Sequence, residues 1–218
     1  MPKMHRLALL FLFVLLAFFL IFFSVVIFEP FKKPNSRTDM PSTATLGSPT
    51  VTFIDPRRGN VHGTIPLVEF GDYQCQFCKD MEPSLNAVLA EHPNLTLIWK
   101  DLPNSVIHNE AQNAALAARC AGRQGKFWEY HDLLFANQGG LGTALYPRLA
   151  EQIGLAAGKF AACLKDQEEK PIVLRNIDEA IALGVDGTPY FFLGSLRFSG
   201  QVRAEDLRAA VDALSPQK

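Results

Sequence analysis

Residues 65–78 read IPLVEFGDYQCQFC and place an apolar segment just before a Cys-x-x-Cys motif. Residues 65–70 are typical of a central strand that is buried on both faces. We predict a helix from about Cys75 to Ala90 and a further strand over residues 95–100. Strand, helix and strand in this order predict a β-α-β crossover and an α/β fold class.

The predicted helix brings the two thiols of the motif together, because residues three apart lie on one side of a helix. Cys75 opens the helix, where free backbone N–H groups and the helix dipole stabilise a thiolate. A thiolate attacks disulfides, so we predict Cys75 as nucleophile, Cys78 as resolving thiol and a redox-active Cys75–Cys78 disulfide. The alternatives are half of a zinc site, for which isolated Cys120 and Cys163 offer no second pair, and a structural disulfide, which is awkward within one turn.

The rest of the body alternates between helical and strand patterns. A short strand is predicted at residues 51–54, followed by a turn at residues 55–60. Two strands near the C-terminus are joined by a two-residue turn at Gly194-Ser195. The other predicted elements are helices at residues 111–122, 127–137, 146–153, 159–165, 172–183 and 204–214, and strands at residues 190–193 and 196–198.

The N-terminus of this 218-residue chain carries a continuous apolar run from Leu7 to Phe28, in which Ser24 is the only polar residue. A helix of this length spans about 33 Å, enough to cross a bilayer core. No small-residue cleavage site adjoins the run, so we expect an uncleaved membrane anchor rather than the alternative, a cleaved signal peptide. Basic residues on both sides leave its orientation open.

Charge and cysteine content set the class and the compartment of the body. The chain has a formal net charge of −1 and its basic excess lies in the first 40 residues, so nothing favours nucleic-acid binding. Cys120 and Cys163 form an even pair outside the motif and predict a structural disulfide; the alternative is two reduced thiols. Such a disulfide, together with Lys3 and Arg6, places the body outside the cytoplasm.

The sequence resembles the DsbA-like thiol–disulfide oxidoreductases of the thioredoxin-fold superfamily over residues 50–215. The matching segments are residues 68–78, Pro83, residues 100–103, His108, Ala114-Ala115, and residues 124–135 and 183–192. The resemblance implies a thioredoxin fold with an inserted α-helical domain. The implied organisation is a transmembrane anchor (1–29), a linker (30–49), the first part of the fold (50–107), the helical insertion (108–183) and the second part (184–218).

The resemblance also implies roles for residues outside the motif. Pro189 is expected in cis after Thr188, beside the cysteines. Glu69 is expected to be buried beneath them and to assist proton transfer at the resolving thiol; otherwise it would face solvent. Lys100 is either its charge partner or a solvated lysine. Relatives commonly carry Pro where this chain has Gln76, which leaves the direction of electron flow open.

Other residues have simpler interpretations. Phe77 and Tyr73, with Tyr190, are candidates for an apolar rim that contacts substrate chains, although Tyr190 fits core packing equally well. His92, His108 and His131 are predicted to be structural. No organic cofactor and no metal are expected.

We therefore expect a membrane-anchored oxidoreductase that forms disulfides in unfolded or partly folded Cys-containing proteins. A DsbB-like membrane oxidase would reoxidise it, and its single-pass anchor would hold the domain on the periplasmic side of a bacterial inner membrane. One alternative is a reductase or isomerase supplied with electrons by a membrane reductase. Another is a non-catalytic, membrane-tethered holdase that reuses the fold.

Overall fold

The computed structural model describes residues 15–19, 22 and 47–215. The chain divides into two units, Met1–Thr45 and Leu46–Lys218. Residues 15–19 and 22 are helical, and no helix in the described segments is long and apolar enough to cross a membrane. Most of the predicted anchor and linker lies outside the described residues, so the anchor stays a prediction.

The body is built on a five-stranded sheet in the order β1-β3-β2-β4-β5. The central strands β2 and β3 run parallel, and the other neighbouring strands pair antiparallel. Almost every residue of β2 and β3 is buried, which explains why most of their side chains are apolar. The strands are β1 (Arg57–Gly59), β2 (Ile65–Gly71), β3 (Leu95–Asp101), β4 (Tyr190–Leu193) and β5 (Leu196–Ser199).

Helices connect and cover this sheet. Helix α1 joins β2 to β3, five α-helices and a short 3-10 helix (Gln138–Gly140) lie between β3 and β4, and a last helix follows β5. The helices are α1 (Gln76–Glu91), α2 (Ala111–Gly122), α3 (Phe127–Ala136), α4 (Tyr146–Gln152), α5 (Ala157–Asp166), α6 (Lys170–Ala182) and α7 (Ala204–Leu214). The predicted α/β class with helices inserted between two strands is confirmed.

The two faces of the sheet pack against different helices because side chains alternate along a strand. Leu67 on β2 belongs to the core shared with α1 and α7. Val68 and Phe70 point the other way, into a core that contains Ala180 of α6. Glu69 therefore shares the face of Leu67 and lies towards α1, the helix that carries the cysteines.

The edge strand corrects the sequence analysis, because residues 51–54 form no strand. The backbone N–H and hydroxyl of Thr52 donate to the Asp55 carboxylate at 2.7 and 2.8 Å, which closes a turn there. The strand begins two residues after that turn, where Arg57 pairs with Ile98 of β3. A strand of three residues with two arginines lacks the apolar alternation on which the prediction depended.

A substitution at Gly71, the last residue of β2, can test how tightly the sheet packs beneath the motif. A Cβ at this position would overlap the Trp99 ring. We expect Gly71→Ala to lower the free energy of unfolding by about 3 kcal/mol, because the fully buried ring has no room to move. Gly158→Ala is the control, since nothing lies within 4 Å of its Cβ position and its stability should be unchanged or higher. Urea unfolding of both variants measures this, and equal stabilities would contradict the packing.

Candidate redox site

The Cys-x-x-Cys motif lies at the start of α1. Cys75 is the N-cap of the helix, and Cys78 lies in its first turn. Both are free thiols in this structure, with exposed fractions of 6% and 0%. The nucleophile predicted from sequence is thus the thiol nearer the surface, and the resolving thiol is enclosed.

The loop before β4 completes the site. The Thr188–Pro189 peptide bond is cis, and the Cys75 thiol donates to the Thr188 carbonyl with an Sγ–O distance of 3.2 Å. Segments 113 residues apart in sequence therefore meet at the reactive sulfur. The structure thus brings together four of the predicted site residues, Cys75, Cys78, Thr188 and Pro189.

The two thiols have opposite acidities. A hydrogen bond from the Cys78 side chain, aided by the Thr188 side chain and the Phe77 and Cys78 backbone, lowers the pKa of Cys75 to about 6, although burial opposes this. Burial raises the pKa of Cys78, and its hydrogen bond to Cys75 raises it further. At pH 7 a thiol with a pKa near 6 is about nine-tenths thiolate. Cys75 therefore carries the negative charge, and Cys78 holds the proton.

Glu69 lies beneath this pair with a fully buried side chain. Neither of its carboxylate oxygens has a hydrogen-bond partner among the described residues. Burial raises the pKa of Glu69 well above its usual value, and the charges of Glu82 and Cys75 raise it further, while Arg58 opposes the shift. The raised pKa favours the protonated form of this carboxyl, which can give its proton to a neighbouring thiolate.

Two predicted placements are wrong. Lys100 lies on the face of the sheet opposite to Glu69. It is therefore not the charge partner of Glu69, and it is not exposed to solvent. Its ammonium group binds Asp55 and Glu179 at 3.1 Å each, inside the core. Tyr73 cannot contact substrate, because it is 1% exposed and stacks on Trp99.

Asp72 holds the loop that precedes Cys75. Its carboxylate accepts hydrogen bonds from the backbone N–H groups of Gln74 and Asn104, at 2.7 and 2.9 Å. The same carboxylate is 2.8 Å from His108 Nδ1, and the Asp72 carbonyl accepts from the Cys75 backbone. The buried carboxylate thus ties the active-site loop to the segment after β3, and His108 has the structural place predicted for it.

The inserted helices hold the same loop from the other side. The Gln138 side chain donates to the Tyr73 and Cys75 carbonyls, at 2.9 Å each. The Glu110 backbone N–H donates to the Gln74 side chain at 2.6 Å. The hydrophobic core of the insertion includes the cysteines of the motif, so the insertion forms one wall of the site.

Exposed apolar side chains lie in the motif and in the loop that Asp72 binds. Phe77, inside the motif, is 57% exposed, as expected for a substrate contact. Val106 and Ile107 are 93% and 70% exposed on the loop that Asp72 binds through Asn104 and His108. Tyr190 is 8% exposed and serves mainly as core.

The second cysteine pair lies within the inserted helices. Cys120 of α2 and Cys163 of α5 form a disulfide with a Cα–Cα distance of 5.8 Å. It joins two helices of the insertion. His92 lies at the other end of α1, where it contacts Asp212 of α7 at 3.1 Å.

A charged cluster that the sequence did not predict lies next to Glu69. It consists of Glu82, Arg58, His131 and Asp132. Glu82 follows Cys78 by four residues, and this spacing on a helix was the one local signal that could have indicated it. Glu82, His131 and Asp132 have the ligand types of a metal site, but the Arg58 guanidinium already pairs with both carboxylates.

A family model described as thioredoxin matches residues 54–213. The chain belongs to the thioredoxin family.

Two solved structures of this family are similar over most of the body. DsbA2 of Pseudomonas aeruginosa is 26% identical with a TM-score of 0.63, over 78% of this chain and 97% of that chain. The thiol–disulfide exchange protein alpha-DsbA2 of Wolbachia pipientis is 24% identical with a TM-score of 0.68, over 75% of this chain and 88% of that chain. The predicted resemblance to DsbA-like proteins and the class of thiol–disulfide oxidoreductase are confirmed.

Curated relatives match only in part. The Na+/H+ antiporter NhaA 1 of Salinispora arenicola is 38% identical over 162 residues, which make up 72% of this chain and 25% of that protein. The chain thus spans about a quarter of the length of the curated relatives it matches. The matching part is their thioredoxin domain.

The hydrogen bond between the two thiols predicts a titration. Cys78→Ala should raise the pKa of Cys75 from about 6 towards its ordinary value by at least about one unit, because the strongest stabilisation of the thiolate is removed. Thiolate absorbance at 240 nm against pH measures this. Cys78→Ser keeps a donor, is the matched control and should shift the midpoint less. A midpoint still near 6 in Cys78→Ala would contradict this origin.

The raised pKa of Glu69 predicts a pH-dependent stability. The folded state holds this proton above the pH at which the unfolded chain loses it, so stability falls as pH rises from about 4.5 towards the folded pKa. Glu69→Gln removes that penalty. Its free energy of unfolding should exceed that of the parent at pH 8, with no such gain at pH 4.

Urea unfolding at the two pH values tests this, with Glu151→Gln, an exposed glutamate, as the control. A Glu69→Gln variant that gains as much stability at pH 4 as at pH 8 would contradict the sign.

Proposed function

We propose that the protein forms disulfides in unfolded or partly folded Cys-containing proteins. The observation that carries the proposal is the division of charge at the motif, with a Cys75 thiolate at the helix start and an enclosed, protonated Cys78. In this direction the Cys75–Cys78 disulfide is the oxidant. No step needs a metal or an organic cofactor.

Exchange takes place in two steps. A substrate thiolate attacks Cys75 Sγ, the Cys75–Cys78 bond breaks, and the electron pair leaves on Cys78, which takes a proton from Glu69. A second substrate thiolate then attacks its partner sulfur in the mixed disulfide and releases Cys75 as a thiolate. The substrate gains a disulfide, and the enzyme leaves as a dithiol that a membrane oxidase must reoxidise.

The low pKa of Cys75 favours this direction over reduction. A stabilised thiolate stabilises the reduced enzyme, which makes its disulfide a stronger oxidant. A pKa near 6 for Cys75 lies between the values typical of the nucleophilic thiols of thioredoxin and DsbA. It therefore does not indicate an oxidant as strong as DsbA. The runner-up is therefore a reductase supplied with electrons by a membrane reductase.

The surroundings of the thiol support an extended, unfolded substrate. Phe77, Val106 and Ile107 expose apolar side chains on two segments that Asp72 joins next to Cys75. Such a surface suits apolar side chains of a substrate chain rather than one folded partner.

We place the domain on the periplasmic face of a bacterial inner membrane, anchored through Leu7 to Phe28; the apolar run and the Cys120–Cys163 disulfide support this. We propose no transport activity for this chain from its similarity to the antiporters.

The reduction potential discriminates between the two directions. We expect equilibration with glutathione to give a Cys75–Cys78 potential more positive than about −200 mV, because the Cys75 thiolate stabilises the reduced form. A value near about −270 mV, typical of thioredoxin, would overturn the oxidase direction and favour the reductase.

The holdase alternative calls for a different experiment. In a strain deficient in disulfide formation, the parent should restore oxidation of a secreted reporter and Cys75→Ser should not. His92→Gln, at the far end of α1, is the control for expression and folding. Equal restoration by the parent and Cys75→Ser would rule out the enzymatic function.

A further inference from the structure

A series of polar groups leads from Cys78 towards the surface. Cys78 and Glu82 lie one turn apart on the same side of α1, and Glu69 of β2 faces this helix. Within the described residues, buried polar atoms that lack a hydrogen-bond partner include both Glu69 carboxylate oxygens, Glu82 Oε1 and His131 Nε2. Unpaired buried polar atoms are costly, so their concentration here calls for a function.

His131 joins this buried group to solvent. Its Nε2 is 3.6 Å from Glu82 Oε1, and its Nδ1 is 3.1 Å from Asp132 Oδ1. The His131 ring is fully buried, whereas the Asp132 side chain is 55% exposed. An imidazole can take up a proton on one nitrogen and release one from the other, so this ring bridges the interior and the surface.

The packing fixes the ring in this position. His131 lies edge-on to Trp99 and Tyr73, with ring centroids 4.8 and 5.4 Å away. Arg58 binds Asp132 at 2.5 Å and Glu82 at 3.5 Å while it stacks over Trp128. The charged or titratable groups around His131 are Glu82 from α1, Arg58 from β1, Asp132 from its own helix and Tyr73 from the loop before α1.

We propose that Glu82, His131 and Asp132 carry protons between Glu69 and solvent during exchange at Cys78. This rests on the proposed function, because the proton is needed only if the Cys75–Cys78 bond opens and closes. The relay serves either direction of electron flow. The three residues are positioning residues, since they touch neither substrate nor sulfur.

The proton transfers balance. When the Cys75–Cys78 bond breaks, the electron pair goes to Cys78 and the Glu69 proton follows it. His131 Nε2 then gives its proton to Glu82, Glu82 passes it on to Glu69, and His131 Nδ1 takes one from solvent at the Asp132 carboxylate. One proton enters per bond broken, and the same groups release one when the bond forms again.

The test measures how fast the full-length oxidised protein is reduced by a cysteine-containing peptide between pH 5 and 8. We expect His131→Gln to slow this reduction about 10- to 100-fold, the lower range of general acid–base effects. Asp132→Asn, on the surface, should slow it about 3- to 10-fold. The rate should also become more sensitive to D₂O in both variants, because proton delivery limits it.

Equilibrium measurements separate a relay from a structural role. A relay changes rates alone, so the Cys75 titration midpoint and the equilibrium constant with glutathione should match the parent. His92→Gln, a histidine outside the site, is the matched control and should keep the parental rate. If His131→Gln fails to fold, the exposed Asp132→Asn variant provides the test of the relay.

Three outcomes are distinguishable. A parent that does not exchange with the peptide would overturn the proposed function itself. A normal parent with both variants at the parental rate and pH profile would overturn the relay alone. Slow variants with a shifted Cys75 midpoint would also overturn the relay and assign these residues a structural role.

Discussion

The hydrogen bond between the two thiols of the motif is the interaction on which the chemistry depends. It lowers the pKa of Cys75, while burial and then this same contact raise the pKa of Cys78, so the charge lies on one sulfur and the proton on the other. The contact requires both sulfurs in the first turn of α1. The strand β2, buried on both faces, holds that turn in place, and Thr188 closes the site from the loop before β4.

The inserted helices also hold the active-site loop in place. Gln138 holds the Tyr73 and Cys75 carbonyls, and Glu110 holds Gln74, so both contacts fix the loop from outside the sheet. The Cys120–Cys163 disulfide joins two helices of that same insertion. Because the loop is bound on both sides, Cys75 is presented in one position while the surrounding apolar side chains stay exposed.

Local patterns predicted the parts of the structure that depend on local sequence. The apolar run of β2, the helical periodicity of 111–122 and the motif itself needed no distant partner. The edge strand at Arg57–Gly59 is defined by pairing with β3, and Lys100 is satisfied by Asp55 and Glu179, 45 and 79 positions away. Nothing in a strand pattern says which distant group will meet a side chain, so these contacts could not be predicted.

The charged cluster of Glu82, Arg58, His131 and Asp132 could not be predicted for the same reason. Its charges explain how the groups of the site act together. Glu69 and the Cys75 thiolate raise each other's energy when both are charged, so the carboxyl stays protonated while the thiolate forms. Arg58 faces Glu82 and Asp132 on the outer side and confines their charge to that end. Beside the two thiols, the negative charge therefore lies on Cys75. A proton that enters at Asp132 therefore replaces on Glu69 the one that Glu69 gives to Cys78.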